Sequence, residues 1–315
     1  MATQLTTTSG LSATMQSYYD RKMLEYAKTQ FVFANYAQKR SIPKNNGKTV
    51  QFRRWTLFTA DPTTQTLTEG TTPTAQNLAM SAITATVKQY GAYVEVSDLL
   101  DLTAIDNVIS DSSELLGEQL GNVLDMIVRD AMSATTNIQY AGGQASDDNI
   151  TATQKLTVGE IRKAVRTLKK AKARKFTRKG GKPHYICIVD PDAVYDLQSD
   201  SLWQDVSKYS NAEQIYDGEL GKMFGVVFIE TTNAKIVNNS ASYGVHQSFV
   251  FGSDSYGVVD VAGQGAIKAI VKPHGSSGTA DPLAQRATVG AKVTAFTACV
   301  LNADWLVSIH HGVTA

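Results

Sequence analysis

Two strand-like runs separated by a long polar stretch limit what the first third of this chain can be. Residues 48–58, KTVQFRRWTLF, set β-branched and aromatic residues on both sides of Arg53 and Arg54 and read as a strand. Residues 80–97 read as another, clearest where Ala92, Val94 and Val96 alternate with Tyr93, Glu95 and Ser97. Between them, Thr59 to Ala79 is dominated by Thr, Pro, Gln and Gly. A structureless loop of that length argues against a self-contained compact domain. A two-stranded ribbon alone is only marginally stable. Support from outside this subunit's own core is the expectation.

The flanks agree with that. Residues 1–16 are rich in Thr and Ser, with too few apolar side chains to offset the entropy of ordering them. A helix is expected from Ser17 to Gln38, with Tyr19, Met23, Tyr26, Ala27 and Phe33 near one face, ended by Pro43 and the Asn45-Asn46-Gly47 turn. A stronger helix follows. Asp111 with Glu114 makes a capping pair, and Leu116, Leu120, Val123, Ile127 and Ala131 recur at helical spacing, widened by Leu124 and Val128. Running to Ser133, it would be ~33 Å long at 1.5 Å per residue. Gly117 and Gly121 allow a close backbone neighbour, while Glu114, Glu118 and Asp125 exclude a membrane-dimer reading.

Residues 157–240 read as an α/β unit. Thr157 and Glu160 form a second capping box, opening an amphipathic helix on Ile161, Val165 and Leu168. Gly180-Gly181 breaks the chain, Tyr185 to Val189 is a buried-type strand, and Asp190-Pro191 starts another helix as N-cap and N1. GVVFIETTNA is a further strand. From Tyr243 short strands alternate with Gly, closing on a long apolar strand from Gly290 to Val307.

The 315 residues are 43% hydrophobic and 19% charged, with net charge +1, which describes an ordinary globular protein and favours no partner class. Cys187 and Cys299 fit no metal spacing and read as buried free thiols of a chain made in a reducing cytoplasm. The first residues lack the basic and apolar regions of a secretory signal. Val293 to Ala303 is far short of the ~18 apolar residues a membrane span needs. The His310-His311 pair reads as an exposed tail rather than metal ligands. Gly263-x-Gly265 lacks the strand–turn–helix setting of a dinucleotide fingerprint, and Gly275 to Gly278 is not a nucleophile elbow. Asp147-Asp148 reads as a turn and Asp190-x-Asp192 as capping. No catalytic, metal or cofactor constellation emerges.

Charge is nevertheless segregated. Arg162, Lys163, Arg166, Lys169, Lys170, Lys172, Arg174, Lys175, Arg178, Lys179 and Lys182 form a run without an acid, leaving 19 basic against 29 acidic residues elsewhere. Two readings stand: a patch contacting nucleic-acid phosphates, or a helix face and loop that meet an acidic neighbour or are simply solvated. Only Phe176 follows the helix, so base stacking is not indicated.

GKTVQFRRW, LTEGTTP and YGAYVEVSDLLDLTAIDNV, then IVDPDAVYDL, GELGKMFGVVFIETTNA and the closing DPLAQRATVGAKVTAFTACVLNADWLVSIH, resemble in order and spacing the major capsid proteins of tailed bacteriophages. The resemblance is to the N-four-like podovirus family, whose fold is the HK-ninety-seven type. It implies an α+β fold with an N-terminal arm (1–40), an extended hairpin loop (41–97) and a peripheral domain built on a long spine helix (98–157). An inserted axial domain (158–263) would be followed by C-terminal strands that complete the peripheral domain (264–315). It implies a non-enzymatic subunit without cofactors, self-assembling as hexamers and pentamers into an icosahedral shell. Its partners would be itself, a portal, scaffolding or decoration proteins, and non-specifically held double-stranded DNA. The place would be the virion, after synthesis in the bacterial cytoplasm. An encapsulin-like compartment shell is the near alternative, and a nucleic-acid-binding protein using Arg162 to Lys182 the distant one. Lys44, Lys48 and Lys88 lie in the loop, but no motif assigns them to a cross-link.

Overall fold

The structure, a computed structural model, describes residues 18, 20, 21, 23–27, 31–43, 45, 47–56, 58, 60–63, 65–104, 107–177, 182–203, 219–261, 267–276 and 281–314. The expected disordered tail, the Gly180-Gly181 break, Gly263-x-Gly265, Lys44, Arg178 and Lys179 lie outside these residues. The first strands are β1 (Gln38–Ile42), β2 (Thr49–Trp55), β3 (Met80–Thr86), β4 (Lys88–Ser97) and β5 (Ile138–Tyr140). Next come β6 (Tyr185–Val189), β7 (Glu219–Met223), β8 (Val226–Glu230), β9 (Lys235–Asn238) and β10 (Gly244–Phe251). The last are β11 (Tyr256–Val261), β12 (Lys268–Lys272), β13 (Arg286–Val300) and β14 (Leu306–His311). Helices are α1 (Asp98–Thr103), α2 (Val108–Ser133), α3 (Val158–Lys170) and α4 (Pro191–Gln198).

A seven-stranded sheet runs β5-β14-β10-β6-β8-β7, with β9 also paired to β10. Every residue of β6 is buried, so the sheet is covered on both faces. The two-residue period of the strand divides it: Tyr185, Cys187 and Val189 pack with α3 and α4, while Ile186 and Ile188 join the core that holds α2. On the far side of α2 lies the five-stranded sheet β1-β11-β13-β12, with β4 added against β13. The long helix thus sits between two sheets. Hairpin β2–β3 is a third, separate pair.

Helix α2 starts a turn earlier than expected. Asn107, not the Asp111–Glu114 pair, caps it by accepting from Ser110 N at 3.2 Å. Its 26 residues span ~39 Å. The buried ridge is Leu116, Leu120, Leu124, Val128 and Met132, whereas Val123, Ile127 and Ala131 are only half-buried at its flank. At Gly117 and Gly121 an added Cβ would come 2.8 Å from the carbonyl oxygens of Met23 and Ala27. The N-terminal helical segment therefore meets α2 backbone to backbone, which only glycine permits.

Four expectations are corrected. The first helix does not reach Gln38: Phe33–Tyr36 is a 3-10 turn, and β1 then pairs in parallel with β11. The cause is Asp125 on α2, whose Oδ1 accepts from the N–H groups of Val32, Phe33 and Ala34 at 3.1, 2.9 and 3.2 Å, fixing that turn in place. Residues 80–97 form two strands, not one, because β3 pairs with β2 and β4 leaves for β13. The closing strand also breaks. Leu301 and Asn302 donate to Ser255 O, Asn302 caps the turn Ala303–Trp305, and β14 continues in the other sheet. Finally, the Thr157–Glu160 box is half formed. Thr157 accepts from Glu160 N, but the Glu160 carboxylate turns to Gln139 and Lys163, each at 2.7 Å. The sheets also run across the expected segment boundaries. β11, within 158–263, belongs to the five-stranded sheet, and β14, within 264–315, to the seven-stranded one.

Candidate functional site

The basic run begins on the outer face of α3. Its apolar face, Ile161, Ala164, Val165 and Leu168, is buried, which leaves Arg162, Lys163, Arg166, Lys169 and Lys170 exposed. Lys172, left-handed at φ 52°, turns the chain out of the helix. Arg174 and Lys175 follow in the loop, and Lys182 lies exposed beyond the gap. The structure adds aromatic rings that sequence spacing could not show. The Arg162 guanidinium lies 5.3 Å from the Phe224 ring, Arg174 lies 5.7 Å from Trp305, and Lys175 lies 5.5 Å from Tyr185. Phe224 sits in the β7–β8 turn at φ 51°, an uncommon conformation for a bulky residue, and remains exposed. Arg162, Arg166, Lys169, Lys170, Val165 and Phe224 line one open groove without an acid. Lys163 pairs with Glu160 at 2.7 Å, and Arg174 reaches Asp254 at 3.9 Å. The groove can hold an anion against an apolar floor.

The polar residues deeper in the fold serve packing. His310 and His311 are not an exposed tail; both are buried in β14, because that strand runs inside the sheet between β5 and β10. His311 Nδ1 meets Gly312 O at 3.0 Å and Nε2 meets Ser248 Oγ at 2.8 Å, and both of these neighbours are buried. Burial pulls its pKa down to about 4, so the imidazole is neutral. His310 Nδ1 lies 2.5 Å from Asp147, at the turn where Asp148 accepts from Ser240. Asp190 Oδ1 caps α4 through Ala193 N, as expected, and Oδ2 pairs with His246 Nδ1. With Asp192 these two could ligate a cation, but the positive end of α4 opposes one there. Burial raises the Cys299 thiol to about 11 and Cys187 further, so neither is a ready nucleophile.

Residues 126–286, just over half of the chain, match the family described as phage capsid protein. The chain belongs to that family. This capsid protein is also 31% identical over 103 residues to the major capsid protein of Escherichia phage T5, which covers 32% of this chain and 22% of that relative. The chain thus matches under a quarter of the relative's length. The capsid of Ralstonia phage GP4 superimposes with a TM-score of 0.69 at 15% identity, covering 89% of this chain and 88% of that one. A virus-like particle from Pyrococcus furiosus aligns more loosely, at TM-score 0.52 and 12% identity over 94% and 99% of the two chains. The fold is the α+β, HK-ninety-seven type of tailed-phage capsids.

Two regions of the capsid protein lack support from its own core. Hairpin β2–β3 is anchored at its base, where Phe52 and Ala85 pack on Ile42, Val259 and Leu301. Beyond that, no described residue from Arg53 to Ala82 is buried. Helix α1 buries nothing at all. The arm, by contrast, is held firmly. Phe33 is fully buried, Tyr256 donates to its carbonyl at 2.6 Å, and Asp125 binds the turn's three N–H groups. Burial raises the Asp125 pKa to about 6, although those N–H groups and the Arg129 charge pull it down, and its Oδ2 has no hydrogen-bond partner.

Proposed function

We propose that this capsid protein is the major shell subunit of a tailed phage, assembling as hexamers and pentamers into an icosahedral shell around double-stranded DNA. The observation that carries the reading is the projecting hairpin, in which no described residue from Arg53 to Ala82 is buried and Trp55, Phe58, Leu78 and Met80 are exposed. Apolar surface of this kind marks protein–protein contact, and neighbouring subunits of the same shell supply it. In this reading residues 1–40 are the arm, 41–97 the hairpin loop, 98–157 the peripheral domain with α2 as its spine, and 158–263 the axial domain. Residues 264–315 return to the peripheral domain. Sheet membership supports moving β11 to the peripheral side and β14 to the axial side. The motifs in the hairpin loop support the N-four-like branch.

The role is structural rather than catalytic and needs no cofactor. Portal, scaffolding or decoration proteins and packaged DNA are its partners, and the virion its destination after synthesis in a bacterial cytoplasm. An encapsulin-like shell has the looser archaeal particle in its favour. The family match and the better superposition on a phage capsid favour the virus. Electron microscopy of the chain expressed alone, and with a scaffolding protein, tests the reading. Closed icosahedral particles are expected, and a dispersed monomer under both conditions refutes it.

A further inference from the structure

Helix α2 packs on one face of the five-stranded sheet, where Ala269, Val289, Ala291 and Val293 are buried. The two-residue period of the strands turns Tyr93, Ile270, Lys272 and Lys292 to the other face, and all four are exposed. Register sets them in rows. Tyr93 of β4, Gly290 of β13 and Ile270 of β12 lie side by side. Gly290 brings no side chain, so the ring and the isoleucine stand ~10 Å apart as walls over a bare floor. The open hollow measures about 500 Å³. Tyr93 and Ile270 are 68% and 42% exposed, although both sit inside strands.

The charges flank this hollow. Lys292 lies in the row on one side of it, and Lys272, opposite Thr288, in the row on the other. Among the described residues neither lysine has an ion pair, and Glu95, the one acid in β4, β12 and β13, is answered by Arg286 at 3.8 Å. From the Lys292 row to the Lys272 row is four residues of β13, or ~13 Å. An extended peptide presents its residues i, i+2 and i+4 on one side over that same length. We propose that this face binds an extended acidic segment of a second protein. A large apolar side chain of the segment sits between Tyr93 and Ile270 over Gly290, and a carboxylate two residues away on each side meets Lys292 and Lys272. Charge selects this occupant. Strands β2 and β3 of a second copy carry Arg53 and Arg54 and no acid, so the lysines repel them. A nucleic-acid backbone would answer the lysines but leave the apolar hollow empty. The face is formed within one subunit, so the inference stands apart from the shell reading.

Fluorescence anisotropy of the labelled peptide Thr-Asp-Thr-Phe-Thr-Asp-Thr, titrated with the free full-length subunit, tests it. Changing the peptide's Phe to Ser should weaken binding about tenfold, because one large side chain is no longer buried. Lys272→Glu with Lys292→Glu should weaken the acidic peptide about tenfold at low salt and favour Thr-Lys-Thr-Phe-Thr-Lys-Thr instead. Gly290→Val fills the hollow without changing charge and should also cost about tenfold. Each variant should melt within about 2 °C of wild type, because exposed substitutions change stability little. Should Gly290→Val not fold, Tyr93→Ser, which removes one wall, replaces it with the same expected loss. No binding of the acidic peptide, equal binding of its Phe and Ser forms, an unchanged charge preference in the double lysine variant, or wild-type affinity with the hollow filled overturns the inference. A duplex DNA oligonucleotide that binds more tightly than the peptide and is lost in the double lysine variant also overturns it, and gives the face to nucleic acid. Shell yield does not enter this readout, so the shell reading can fail while the peptide site holds, and the reverse.

Discussion

Strand β6 and hairpin strand β2 both carry β-branched and aromatic residues, although β2 adds Gln51, Arg53 and Arg54; one is wholly buried and the other buries only Phe52. What differs is the neighbourhood. β6 lies inside a seven-stranded sheet with helices on one face and α2 on the other, whereas β2 has one partner strand and touches the body only at its base. For the apolar residues of β2, Val50 and Trp55 among them, burial is limited by position in the fold rather than by residue type. The body buries its apolar residues within the subunit, whereas the hairpin beyond its base and α1 do not.

The sharpest way to break that distinction is to truncate a ring in each region. Phe249 of β10 is fully buried and meets Phe33 edge to face at 6.0 Å. Phe249→Ala should destabilise the unassembled subunit by about 3–5 kcal/mol. Trp55→Ala removes a larger ring, but from an exposed site, and should change the same urea melt by less than ~0.5 kcal/mol. Its effect should fall on shell yield instead. Equal losses in the two melts would mean that the hairpin is already supported within the monomer.

The body holds two buried titratable groups with opposite shifts. In the body, His311 is kept neutral, its pKa lowered to about 4 from an ordinary 6.5. Its contribution is fully present above pH 6.5 and is lost as pH falls through 4. At the junction of arm and spine, Asp125 is raised to about 6 from 3.8. It favours the folded state below 3.8, and that contribution is lost as pH rises through 6. At ~1.4 kcal/mol per unit each is worth about 3 kcal/mol. Between pH 6 and 4 the two therefore offset, and each variant should unmask the other. Asp125→Asn, which keeps an oxygen for the three N–H groups, should make the subunit lose about 3 kcal/mol on acidification over that interval. His311→Asn should make it gain a similar amount. Chemical denaturation at several pH values measures both slopes, and parallel slopes would remove the assignment. Asp130, Asp190 and Asp196 are all held below the usual carboxylate range and add their losses at lower pH.

Much of this architecture was legible where local chemistry decides it. The Asp190-Pro191 helix start, the buried run of β6, the close approach at Gly117 and Gly121 and the unsupported hairpin follow from turn residues, periodicity and glycine alone. What escaped depends on partners distant in sequence. Nothing near Phe33 says that a carboxylate 92 positions away will hold its N–H and end a helix there. The burial of His310 and His311 comes from β14 crossing into the inner sheet, although the apolar LVSI ahead of them was a usable signal. The rings beside the basic run likewise arrive from the β7–β8 turn and the approach to β14.

The smallest effect on the isolated subunit belongs to the basic run, and it asks whether the body, like the hairpin, relies on neighbours. Nine of its eleven cations are described, all exposed, and the groove between Arg162 and Lys170 contains no acid to answer them. Within the subunit, Glu160 and Asp254 take up one cation each. Exposed ion pairs contribute only ~0–1 kcal/mol each, so any role in assembly is collective and screened by salt. Neutralising Lys169, Lys170, Lys172 and Arg174 to Gln should leave the melting temperature of the free subunit within about 2 °C. The salt dependence of capsomer formation should shift if acids of neighbouring subunits answer this face, since acids are in excess elsewhere on the chain by ten. A DNA-contacting patch would behave differently. Its loss would leave assembly unchanged at every salt concentration and reduce the DNA retained in the shells, with a shallower dependence of binding on salt. The two outcomes separate cleanly in one experiment, since light scattering follows assembly while absorbance of purified particles reports their DNA.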